Sequence, residues 1–142
     1  MPDKLDGTVL KIASVVVLGA IMSILDITVV SVALPTFQRE FDATYAEVAW
    51  TMTGYTLALA TVIPLSGWAA DRFGTKRLYM LAVLLFTLGS ALCALAPNLE
   101  TLVLFRVLQG LGGGMLMPLG MTIMTRAAGA HRVGRVMAVM GV

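Results

Sequence analysis

Across 142 residues, 58% are hydrophobic and only 13% charged, and mean hydropathy is +0.90, whereas soluble domains carry ~25% charged residues. The composition excludes a soluble enzyme domain, and apolar runs of about 19 to 27 residues exclude a lipid-bathed β-barrel, whose strands alternate over about ten residues. Net charge is +2 with a pI near 9.0, but no basic stripe interleaved with aromatics points to nucleic acid.

In chain order, the runs predict an all-α, polytopic transmembrane bundle with spans at 8–34, 48–68, 78–96 and 99–125. A stretch of the same character at 133–142 is about half the length a spanning helix needs, so it reads as the start of a fifth. The first run is too long for the core of a signal peptide, and Asp3, Lys4 and Asp6 before it are not net basic, so it is expected to be retained. Pro35 is expected to end or bend the first helix near Leu34, and Pro64 and Pro118 to kink the second and fourth.

The gaps are too short to house a domain. Arg72, Lys76 and Arg77 lie in the second, and Arg126 and Arg132 in the fourth with Arg135 just beyond; the first has Arg39 among Glu40, Asp42 and Glu47, and the third has none. The positive-inside rule puts the N-terminus and the second and fourth gaps in the cytoplasm. Trp50, Trp68 and Tyr79 stand near span ends and read as interfacial anchors. The ten methionines suit irregular helix gaps. Cys93, the only cysteine, cannot build a disulfide framework or a zinc site, and no ligand cluster predicts any other metal.

Two ionisable residues lie deep inside spans, where each costs at least about 2.5–3.5 kcal/mol on insertion scales. Asp26 is about 22 Å above Lys11 along helix one, and Arg106 about 9 Å below Glu100 along helix four, so the two stand at similar depth. If the helices touch, the pair is either a proton-binding couple or a structural ion pair. Gln109, Gly110 and Gly113 follow Arg106 on the same face, while Gly112 and Gly114 thin the helix beside it. Gly110 and Gly114 invite close approach of another backbone. Between spans two and three, a basic cytoplasmic loop explains Arg72, Lys76 and Arg77 but leaves Gly67, Asp71 and Gly74 unexplained. Asp71 is placed to pair with neighbouring basic residues or with a helix N-terminus in one conformation and not in another. His131, among arginines, is a weaker proton-relay candidate.

These residues resemble the motifs of the major facilitator superfamily, specifically its drug:proton antiporters. Gly67, Asp71, Arg72, Gly74, Lys76 and Arg77 match the signature between helices two and three. Arg106, Gln109 and Gly110 are similar to the helix-four signature, and 25–35 (LDITVVSVALP) to the helix-one motif of multidrug exporters. Trp50 and Tyr55, four residues between them, resemble the fourteen-helix subgroup; Ser31 departs from the pattern, which commonly carries asparagine. The resemblance implies proton coupling through Asp26 and Arg106. It also implies a conformational latch at Asp71 and Arg72, and alternating access between two six-helix bundles.

On that reading the chain is the N-terminal part of a multi-pass exporter of small amphipathic or cationic organic molecules in a bacterial plasma (inner) membrane. It uses the proton as coupling ion and no cofactor, does no covalent chemistry, and has the bilayer, a small-molecule substrate and the remaining C-terminal helices as partners. The competing readings are another facilitator carrier, for a sugar or metabolite, and a membrane fragment that transports nothing.

Overall fold

The computed structural model describes residues 7–129 together with 132, 134, 135 and 138. Four helices follow one another: α1 (Gly7–Glu40), α2 (Tyr45–Phe73), α3 (Thr75–Ala94) and α4 (Leu99–Ala128), each long and apolar enough to cross a membrane. Most of the fifth stretch expected at 133–142, and His131, lie outside the described residues.

Pro35 does not end α1; the helix continues to Glu40. Proline removes one backbone N–H, and the remaining helical hydrogen bonds carry the chain past it. The turn beyond holds Asp42 at φ 47°, a left-handed conformation that aspartate tolerates better than most residues. A capping box then starts α2: Thr44 Oγ1 accepts from Glu47 N, and the Glu47 carboxylate accepts from Thr44 N at 2.7 Å. The helices also run through Pro64 and Pro118.

One residue, Gly74, joins α2 to α3. Its φ of 91° lies where a side chain is strained, and its N–H closes α2 on the Ala70 carbonyl while its own carbonyl accepts from Leu78. Asn98 caps α4, its side chain accepting from Thr101 N at 2.8 Å.

α4 forms the centre, touching α1, α2 and α3. Its glycines divide the work by direction. A Cβ on Gly110 would stand 2.5 Å from the Tyr55 carbonyl oxygen of α2, and one on Gly112 would stand 2.6 Å from the Ala82 carbonyl oxygen of α3. Both neighbours are backbone and cannot give way, so this close approach requires glycine. α1 instead fully buries only Val9, Val16, Gly19, Ser23, Val30 and Leu34, with Ile12, Met22 and Asp26 half-buried beside them.

Tyr79 corrects the anchor expectation. It is 5% exposed in the core, and its hydroxyl donates to the Val15 carbonyl of α1 at 3.2 Å. Its position near a helix end specified depth, while the face it occupies points inward. Trp50 and Trp68 are exposed.

Gly112→Ala should destabilise the bundle by about 1–3 kcal/mol, the usual range for overpacking. Gly67→Ala, where a Cβ meets open space, should not; melting of the detergent-solubilised protein distinguishes the two.

Candidate functional site

The buried polar site lies where α1, α2 and α4 meet. Arg106 is 3% exposed and projects from α4 into a cage built from each neighbour. Its Nη1 donates to Asp26 Oδ2 of α1 at 2.6 Å and to Gln109 Oε1 at 2.8 Å, and its Nε donates to the Thr51 carbonyl of α2 at 3.1 Å. The guanidinium carbon sits 4.2 Å from the centroid of the Tyr55 ring, a cation–π contact in a desolvated place. Gln109 completes the ring by donating from Nε2 to Asp26 Oδ1 at 2.8 Å. Each Asp26 oxygen therefore has its own donor from α4, one charged and one neutral.

Local sequence explains the convergence. Arg106 and Gln109 are three residues apart and share a face. Gly89 on α3 makes room for Gln109, since a Cβ there would stand 2.7 Å from the glutamine's own. Cys93, one turn on, donates from Sγ to Gln109 Oε1 at 3.8 Å. Gly110 seats α4 against the Tyr55 backbone, and Gly113 makes room for the Tyr55 hydroxyl.

Asp26, Arg106 and Gln109, singled out from sequence, thus come together, and Gly110 and Gly113 pack the helices that hold them. Thr51, Tyr55 and Gly89 were missed as site residues. Thr51 contributes a backbone carbonyl, which carries no residue signal, and Gly89 is visible only once its facing helix is known. Tyr55 had a signal in its spacing from Trp50.

The pair is asymmetric. The Asp26 side chain retains 14% exposure against 3% for Arg106. The arginine has three contacts independent of the aspartate, and the aspartate's two hydrogen bonds both go to α4. At this depth α1 is thus tied to α4 through the Asp26 carboxylate, whereas Arg106 is tied to α2 independently of it.

The second cluster is separate. Asp71 lies 20 residues beyond Thr51 along α2, about 30 Å at helical rise. Gly67, Asp71, Arg72, Gly74, Lys76 and Arg77 are all exposed. Asp71 forms no ion pair with Arg72, Lys76 or Arg77 in this arrangement. Adjacent helical residues such as Asp71 and Arg72 do not face each other, and Lys76 and Arg77 belong to the next helix. Sequence reasoning also missed a tie beside this loop, where Arg126 Nη1 of α4 donates to Thr75 Oγ1 at 3.1 Å.

A family model described as Major Facilitator Superfamily matches residues 16–142. The chain belongs to that superfamily. It is similar to a multidrug resistance protein B homolog of Mycobacterium tuberculosis, 62% identical over 141 residues, which are 99% of this chain and 26% of that protein. It is also similar to a putative multidrug resistance protein MdtD of Salmonella paratyphi B, 42% identical over 111 residues, 78% of this chain and 24% of that protein. The MdtD of Pectobacterium atrosepticum is 41% identical over the same length. The chain spans about a quarter of the length of these relatives. With four apolar helices of spanning length, this superfamily member is a multi-pass membrane protein.

Asp26→Leu should lower stability by about 3–5 kcal/mol, because it leaves a buried guanidinium without its counter-charge. Adding Arg106→Met should recover most of that loss, read from melting in detergent; an Asp26→Leu protein that melts like the parent would contradict the described network.

Proposed function

We propose that these helices are the N-terminal part of a proton-coupled exporter of small amphipathic or cationic organic compounds, working by alternating access. One observation carries the reading: a part-exposed aspartate holds α1 to α4 through a cation that also has three partners other than the aspartate. A proton reaching Asp26 cancels the charge that Arg106 answers and weakens the hold between α1 and the α2–α4 unit. That change biases one arrangement of the helices over another by the difference in contact free energy between them. The step adds and removes a proton at a carboxyl oxygen; no covalent bond of the substrate changes, and no cofactor takes part. The substrate class follows the multidrug resistance names of the relatives.

The same proposal sets the protein in a bacterial plasma (inner) membrane with the N-terminus of α1 in the cytoplasm. Its support is the charge distribution: Arg72, Lys76, Arg77 and Arg126 gather at the end of the bundle where Arg126 meets Thr75, while Glu40, Asp42, Glu47 and Glu100 lie at the opposite end. In this reading Asp71 and Arg72 are a latch toward further helices of the same transporter. Their exposure, and the open space around Gly67, leave room for a second surface there.

Asp26→Asn in the complete transporter should abolish efflux driven by a pH gradient, measured with a fluorescent organic cation in membrane vesicles. Efflux equal to the parent at several external pH values overturns the proposal.

A further inference from the structure

Tyr55 is 1% exposed, and its hydroxyl is the one buried side-chain polar atom without a hydrogen-bond partner among the described residues. A buried polar group left in that condition costs roughly 1–3 kcal/mol. Phenylalanine would present the same ring to the Arg106 guanidinium and avoid the penalty. The oxygen constrains its surroundings too, since a Cβ on Gly113 would stand 2.6 Å from it. The bundle therefore accommodates, at two positions, an oxygen that stands beside the Ser23 hydroxyl without a hydrogen bond of good geometry in this conformation.

Its surroundings say what it is placed to meet. Across the interface with α1 its polar neighbour is Ser23, whose own hydroxyl donates within α1 to the Gly19 carbonyl at 3.4 Å. Asp26 is three residues further along α1, about 4.5 Å of helical rise. In the present state both Asp26 oxygens are occupied by donors from α4. A protonated Asp26 has the opposite need: its new O–H requires an acceptor. Arg106 has none to offer, and Gln109 Oε1 already accepts from Arg106 Nη1 and Cys93 Sγ. A phenol oxygen can accept from the carboxyl O–H, or donate its own proton to the carboxyl carbonyl.

We propose that Tyr55 is a positioning residue for proton coupling, its hydroxyl becoming the hydrogen-bond partner of Asp26 once that carboxyl has taken a proton and left Arg106. This rests on the proton-coupling reading of Asp26 given above. The proton enters from water onto a carboxylate oxygen of Asp26 and leaves from the same group, and Tyr55 keeps its own proton throughout. Ser23, the α1 neighbour of Tyr55, and Asp26 lie less than one helical turn apart along α1, so the movement required is a sub-turn shift of α1 with a change of the Asp26 rotamer. The titratable and charged groups around Asp26 are Arg106 from α4, Tyr55 from α2 and Cys93 from α3, the last through Gln109.

The test is pH-gradient-driven ethidium efflux by the complete transporter, measured against external pH for the parent, Tyr55→Phe and Asp26→Asn, with melting of each in detergent. Tyr55→Phe should melt at or above the parent temperature, because it removes an unpartnered oxygen. Its pH profile of efflux should move about one pH unit toward acid, the size expected for losing one hydrogen bond to the protonated form. A profile overlying the parent's, with Asp26→Asn inactive, overturns this inference alone. Proton-driven efflux surviving in Asp26→Asn overturns the underlying reading as well.

Discussion

A guanidinium buried within a bilayer-spanning helix must be answered by protein, and much of this bundle follows from meeting that demand at Arg106. Its Nε takes a backbone carbonyl from α2, its Nη1 a carboxylate from α1 and an amide oxygen from its own helix, and an aromatic ring covers its face. Those partners come from three helices, so the helices must be close. The glycines of α4 permit that closeness, bringing its backbone against α2 at Gly110 and α3 at Gly112. A buried pair of this kind contributes little net stability relative to apolar packing. Its value is specificity: a slip of one residue between α1 and α4 would leave two charges unanswered, which apolar contacts alone would not penalise.

The same constraint makes the site divisible. α2 and α4 are bound through the cation by contacts indifferent to the charge on Asp26, whereas α1 is held at this depth by hydrogen bonds from α4 to that carboxylate. The helix with the fewest fully buried residues in proportion to its length is thus the one attached at this depth through a carboxylate. Near its other end α1 is fixed by the Tyr79 hydroxyl on the Val15 carbonyl, which gives the helix a firm point about 11 residues, or roughly 16 Å, from the releasable one.

Hydropathy specified depth well and direction poorly. Four apolar runs sufficed for four helices, and rise per residue sufficed to bring Asp26 and Arg106 to one level, because both depend on distance along the axis. Which way a side chain faces is a different quantity, and in lipid it has little polar-versus-apolar signal: apart from Arg106 and Gln109 the middle of α4 is apolar all round yet buried on several sides, and Tyr79 has the sequence position of an interfacial anchor but lies in the core. The part of the site missed from sequence has this character. Thr51 acts through its carbonyl and Gly89 through absent bulk, and neither is distinguishable before the helices are packed.

The central claim is that Asp26 alternates between a carboxylate paired with Arg106 and a neutral acid freed from it. Infrared difference spectroscopy on the membrane-reconstituted transporter reads this directly. Across the pH range in which transport is gated, a protonated carboxyl band should grow on acidification in the parent and be missing in Asp26→Asn. An aspartate that stays ionised over that whole range, with identical difference spectra for the two proteins, would contradict it.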